Sequence, residues 1–131
     1  QDLDPQPKYY VYAHLDNTKT TFAATLGMEF FPFYIGKGTG SRAFDLKRNE
    51  THRKVRERLT VFNQEPIVKI IKDGLTEKQA LMMESKLIDI FGLIVNKGRL
   101  VNLDEGLKRD ERRRLYKDHL NILSQLHRNS V

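Results

Sequence analysis

The chain contains no cysteine. Disulfides, thiolate zinc sites and cysteine nucleophiles are excluded together, and the absence fits an intracellular reducing compartment without choosing between cytoplasm and nucleus. No stretch approaches the roughly 20 apolar residues that span a bilayer, so no membrane partner is expected. Residues 1–8 are polar and proline-containing, unlike a signal peptide, and an opening on Gln1 is compatible with excision from something longer. His14, His52, His119 and His127 lack a paired ligand spacing, which argues against zinc. Serine-based catalysis has no supporting pattern.

What remains is one basic domain over 1–131. A chain of 131 residues has room for one core, and 39% hydrophobic with 31% charged residues suits a folded protein rather than a disordered one. The net charge of +6 favours an acidic partner, nucleic acid first; a merely solubilising surface is the alternative.

Tyrosine and β-branched residues predict a strand over Lys8–Leu15, with Tyr10, Tyr12 and His14 on one face and Tyr9, Val11, Ala13 and Leu15 on the other. Asp16 to Glu29 reads as a long polar connection. Phe30–Ile35 is a second strand, and Pro32 requires it to be at an edge or to begin after the proline. After the glycine-rich turn Gly36–Ser41, a short helix capped by Thr39 or Ser41 is expected to about Lys47. A longer one starts near Thr51, with Val55, Leu59 and Phe62 as its apolar stripe. Ile67–Lys72 reads as a strand buried largely on both faces, followed by a turn at Asp73–Gly74. Thr76 and Gln79 form a capping box that opens a helix to Phe91, stopped by Gly92. Leu100–Leu103 is extended, and Arg109 to about His127 is a last helix. The order ββααβαα is α+β.

Glu84 is the most informative residue. Measured from Ala80 at about 100° per residue, Leu87 falls near 340°, Phe91 near 20° and Ile88 near 80°, and Glu84 at about 40° lies inside that arc. Lys78, Ser85, Lys86 and Asp89 take the wetter side. A bare buried carboxylate costs several kcal/mol unless compensated. It is therefore either half of a buried Glu–Arg pair or a ligand to a hard cation such as Mg²⁺. Gly36, Gly38 and Gly40 let backbone approach a phosphate, with Lys37 adding charge, or they simply make a tight turn. Their spacing matches neither a P-loop nor a dinucleotide fingerprint. Arg42 begins the following helix, as a phosphate clamp or as an ordinary surface arginine.

Tyr10-Val11-Tyr12 and Tyr34-Ile35-Gly36 resemble the two half-motifs of the GIY-YIG nuclease superfamily. The ordered set Tyr12, Tyr34, Gly36, Arg42, Glu84 and Asn102 follows that family's pattern across Tyr9 to Gly106. The wording of Pro32–Gly40 with Arg42-Ala43, and of Leu103–Gly106, is most similar to the branch of standalone phage and bacterial nucleases and ankyrin-repeat/LEM-domain nucleases. The resemblance implies a small three-stranded antiparallel sheet flanked by helices, with a nuclease core over 9–106 and a basic C-terminal helix over 107–131. No glycine precedes Val11-Tyr12, the connection between half-motifs is long, and Leu46 stands where many members carry a histidine.

The resemblance also implies a metal-dependent endonuclease that hydrolyses DNA with one Mg²⁺ or Mn²⁺. Glu84 would hold the metal, and Arg42 would stabilise charge on the phosphate. Tyr12 would take a proton from water, with Lys37 or His52 lowering its pKa and Tyr34 beside it. Asn102 would orient Glu84 or a metal-bound water; otherwise it is a turn residue. The partner is duplex or branched DNA. Lys37, Arg48, Arg53, Lys54, Arg56 and Arg58 flank the site, and Arg112 and Arg113 lie in the basic last helix. That helix is otherwise a solvated face, and its stripe Tyr116, Leu120 and Leu123 could also serve a homodimer. A non-catalytic nucleic-acid-binding module is the alternative function, and it leaves Glu84 without a purpose. A structural interaction domain leaves the Gly-Lys-Gly turn unexplained as well.

Overall fold

The computed structural model describes residues 3–19, 24–92 and 100–102, with backbone alone for 18 and 19. It is an α+β fold. Strand β1 (Tyr9–Lys19) pairs antiparallel with β2 (Phe30–Gly38) on one side and β3 (Ile67–Leu75) on the other, giving the order β2-β1-β3. A 3-10 helix (Arg42–Phe44), helix α1 (Glu50–Val61) and helix α2 (Glu77–Phe91) complete the described elements. The expected helix over 109–127, with Arg112 and Arg113, and residues 103–106 lie outside the described residues.

Alternation in β1 sorts the chain into two layers. Val11, Ala13 and Leu15 join Ile35 and the α2 residues Ala80, Leu87, Ile88 and Phe91 in the main core. Each large apolar side chain buried there contributes about 1.5–3 kcal/mol. Tyr10 and Tyr12 face the other way, toward Ala43, with Val68 and Ile70 of β3 packed beside them. On that second face Phe33 meets Val55 and Leu59 of α1, together with Val101.

Pro32 sits in an edge strand, as its missing N–H requires. The pairing slips here. His14 opposes Tyr34, but Leu15 opposes Pro32, so Phe33 is an extra residue in the ladder. The bulge lets two consecutive side chains, Phe33 and Tyr34, reach the α1 side, where both rings contact His52.

Several expectations change. The strand β1 continues through Asp16 to Lys19, because Lys19 still pairs with Phe30. Strand β3 is an edge rather than a doubly buried strand; Ile67 is 37% exposed, and only Leu75 of its residues is buried. Asp73 and Gly74 stay within it, in a register irregularity where Gly74 takes φ +66°. The expected helix to Lys47 shrinks to one 3-10 turn, and Ser41 makes no side-chain cap. Helix α1 starts at Glu50, one residue before Thr51, and Asn49 caps it by accepting from His52 N–H at 2.9 Å. Its stripe ends at Leu59: Phe62 caps the C-terminus and is 73% exposed, since the chain turns away at Asn63 with φ +58°.

The capping box at Thr76 is present with both reciprocal hydrogen bonds. Replacing Thr76 by Ala leaves the Gln79 amide without its acceptor and should lower stability by about 1 kcal/mol in urea unfolding. An unchanged midpoint would mean that α2 is held by packing alone.

Candidate active site

Three β1 side chains and three β2 positions face one another on the second face of the sheet. Tyr10 pairs with Gly38, Tyr12 with Gly36 and His14 with Tyr34. The glycines are there for room. A Cβ on Gly36 would lie 2.5 Å from both Cζ and Oη of Tyr12, so the phenol ring passes directly over this backbone. A Cβ on Gly38 would meet Arg42 Cγ at 2.7 Å. The two half-motifs are thus one physical unit, with a bulky ring on one strand and a missing side chain opposite it.

The turn after β2 is closed by Tyr10. Its hydroxyl donates to the Gly40 carbonyl at 2.7 Å and accepts from Ala43 N–H at 2.9 Å. Tyr10 therefore fixes where the 3-10 helix, and with it Arg42, departs from the sheet. The Arg42 side chain is 54% exposed and faces Asp45 loosely at 3.8 Å.

Tyr12 is 1% exposed. Its hydroxyl accepts from Arg48 Nη2 at 2.8 Å, and the same nitrogen donates to the Arg42 carbonyl at 2.8 Å. Burial, then the Tyr34 phenol, push the Tyr12 pKa above the ordinary phenol value; Arg48 and Arg42 pull it down, and Glu84 adds to the rise. The phenol is therefore neutral at neutral pH. Tyr34 lies 6.3 Å from the Tyr12 ring, stacks on His14 at 5.3 Å and sits 5.4 Å from the Arg48 guanidinium.

Lys37 does not assist Tyr12. One residue beyond Gly36, it belongs to the opposite face of β2, where it pairs with Glu77 at 3.3 Å and lies 5.2 Å over the Tyr9 ring. His52 is fully buried, and its ring is held at both nitrogens. Arg56 Nε donates to His52 Nδ1 at 3.1 Å, and His52 Nε2 lies 2.9 Å from His14 Nδ1. His14 Nε2 in turn donates to the Ala43 carbonyl at 2.7 Å. One proton arrangement satisfies this chain: both rings neutral and protonated on Nε2, with His52 donating to His14. Burial, as the main cause, lowers His14 from 6.5 to about 4 and His52 from 6.5 to about 3. His52 thus supports the floor of the site, where it was expected to act as a base or to lower Tyr12.

Glu84 lies between the buried Phe91 and Ile88 on the apolar arc of α2 but is only half-buried itself, and its charge acts on the Tyr12 phenol. The buried arc of α2 extends instead to Met82 and Ser85, so Ser85 is not on the wet side; its hydroxyl has no hydrogen-bond partner among the described residues. Asn102 is used differently from either expectation. Its Oδ1 accepts from Ile35 N–H at 3.0 Å and its Nδ2 donates to the Ile35 carbonyl at 2.5 Å. With Val101 N–H bonded to the Phe33 carbonyl at 2.8 Å, the 100–102 segment covers the open edge of β2. Asn49 Nδ2 holds the same segment through the Val101 carbonyl at 2.8 Å.

The basic run does not form one free surface. Arg48 is inside the site, Arg56 is engaged with His52, and Arg53 is ion-paired to Glu50 and Glu57 on its own helix. Lys54 and Arg58 are exposed. Sequence reasoning missed Tyr10, His14 and Asn49 as organisers. The first two had a signal, since strand alternation put them on the face of Tyr12; the Asn49 cap could have been read from its residue type before a helix. No helix among the described residues is long and apolar enough to cross a membrane.

The histidine pair predicts an acid-sensitive fold. Both pKa values are depressed, so the neutral rings stabilise the fold above pH 6.5, and that stability is lost as pH falls toward 4 and 3. Between pH 7 and 5, above most carboxylate titration, unfolding free energy should fall by about 4 kcal/mol. Urea titrations at stepped pH measure it, and a His52→Gln variant should flatten the slope. Comparison with protein-family models, curated proteins and solved structures finds no match.

Proposed function

We propose that the chain is a metal-dependent endonuclease of the GIY-YIG type, hydrolysing phosphodiester bonds in DNA. The observation that carries this reading is the Tyr12 phenol laid across Gly36 and held by Arg48, with Arg42 and Glu84 acting on it. Two phenols, two guanidiniums and one carboxylate converging on one end of a sheet suit a phosphodiester better than they suit a neutral ligand.

The residues fit a hard divalent cation, Mg²⁺ or Mn²⁺. Among the described residues no group of three or more acidic or histidine side chains is arranged to hold a metal. A site with one carboxylate, Glu84, suits Mg²⁺, which keeps several waters and shares phosphate oxygens. When bound, such an ion supplies Lewis-acid stabilisation of the leaving oxygen.

The chain's own groups take the remaining roles. Tyr12 first gives up its phenolic proton to solvent, and the resulting phenolate accepts a proton from the water that attacks phosphorus. The new P–O bond forms as the P–O3′ bond breaks, and the 3′-oxygen takes a proton from solvent. Arg42, exposed and cationic, stabilises the charge on the non-bridging oxygens. Asn102 holds the strand that carries Tyr34 and Gly36.

Supercoiled plasmid with Mg²⁺ tests the reading. Glu84→Ala and Arg42→Ala should each cut about 10²–10³-fold more slowly than the parent. Equal cutting by all three, or none by the parent, removes it; tight binding without cutting would favour a non-catalytic nucleic-acid-binding module. Raising salt from roughly 50 to 200 mM should weaken duplex binding by more than about tenfold, as released counterions require. Affinity indifferent to salt would count against a phosphate-reading surface.

A further inference from the structure

Arg48 lies between the 3-10 helix and α1, in a basic stretch that suggests a surface residue. The fold puts it inside. Its side chain is 4% exposed, with the guanidinium 5.7 Å from the Tyr12 ring and 5.4 Å from the Tyr34 ring. One nitrogen, Nη2, holds the Tyr12 hydroxyl and the Arg42 carbonyl, both at 2.8 Å. Asp45 stands 3.7 Å from Nη1, while Nε and Nη1 have no hydrogen-bond partner among the described residues.

A guanidinium carries five N–H donors, and burying it so sparsely paired costs several kcal/mol. If packing alone were required, an apolar side chain would fill the space at lower cost. The expense is explained when a negative charge forms beside it. The group in hydrogen-bond contact that can lose a proton is the Tyr12 hydroxyl.

The other groups around Tyr12 do not substitute for it. From β1, the Tyr10 ring is 5.9 Å away and the His14 ring, held neutral, is 5.3 Å away. From β2, Tyr34 opposes ionisation, as does Glu84 from α2. From β3, Val68 and Ile70 are apolar. Arg42 favours ionisation but is half in solvent, where water screens it.

Resting on the nuclease reading above, we propose that Arg48 is the positioning residue that makes Tyr12 the proton acceptor, by holding the negative charge that forms on its phenolic oxygen. The activating cation therefore comes from the loop before α1 and is neither Lys37 nor a histidine.

A fluorinated tyrosine incorporated at position 12 of the full chain brings that phenol into a titratable range, and fluorine NMR reads its ionisation without DNA or metal. Arg48→Gln should raise this pKa by about one unit or more, and Arg48→Lys by less. No shift with Arg48→Gln overturns the proposal. In plasmid cleavage, Arg48→Gln should lower kcat about tenfold or more with ordinary Tyr12, and the more acidic fluorinated phenol should recover part of that loss. An equal loss in both backgrounds would make Arg48 merely structural and would also overturn it. If Arg48→Gln fails to give a cooperative unfolding transition, Arg48→Lys carries the same comparison. A clear pKa shift in a protein that never cuts DNA would instead remove the nuclease reading alone.

Discussion

The close approach of the Tyr12 ring to the Gly36 backbone is the constraint around which the rest of the second sheet face is arranged. With a Cβ at Gly36 excluded by contacts of 2.5 Å, the ring can cross its neighbouring strand and carry its hydroxyl to the sheet edge. There Arg48 meets it at 2.8 Å and the charge of Glu84 acts on it from α2. Helix α2 itself packs on the other face. A phenol projecting straight up from β1 would be separated from α2 by the whole sheet. Crossing β2 is what brings the phenol to Arg48 and lets the Glu84 charge act on it.

Support for that phenol comes from groups whose hydrogen bonding is closed rather than free. The neutral chain from Arg56 through His52 and His14 to the Ala43 carbonyl ties α1 to β1 and the 3-10 helix. Tyr10 ties the same 3-10 helix to the turn that follows β2. Both devices satisfy buried polar atoms, and both place their end points within a few ångströms, as a preorganised site needs. The edge of β2, an exposed row of donors and acceptors in a bare three-stranded sheet, is covered by the amide of Asn102 acting as a short stretch of strand.

Charge is handled differently inside and outside this frame. The cation nearest Tyr12 is buried and sparsely paired, whereas Arg53 on the outer face of α1 is neutralised by two glutamates. A count of arginines along 48–58 therefore overstates the free positive surface and understates the positive charge held inside. The net +6 of the chain is compatible with both facts, because composition does not record which charges are paired.

By itself the sequence determined what depends on local pattern. Period-2 alternation separated Tyr10, Tyr12 and His14 from Val11, Ala13 and Leu15; Pro32 required an edge; Thr76 and Gln79 set the start of α2. The α+β class followed from these elements. Tertiary structure alone decided which long side chains turn inward. Arg48 and Lys37 look alike in a basic chain, yet one reaches Tyr12 and the other is sent to the far face by a single step of strand register. The burial of His52, the edge-covering role of Asn102 and the exposure of Phe62 were equally hidden. Each depends on what another element brings within a few ångströms, and no spacing along the chain encodes that distance.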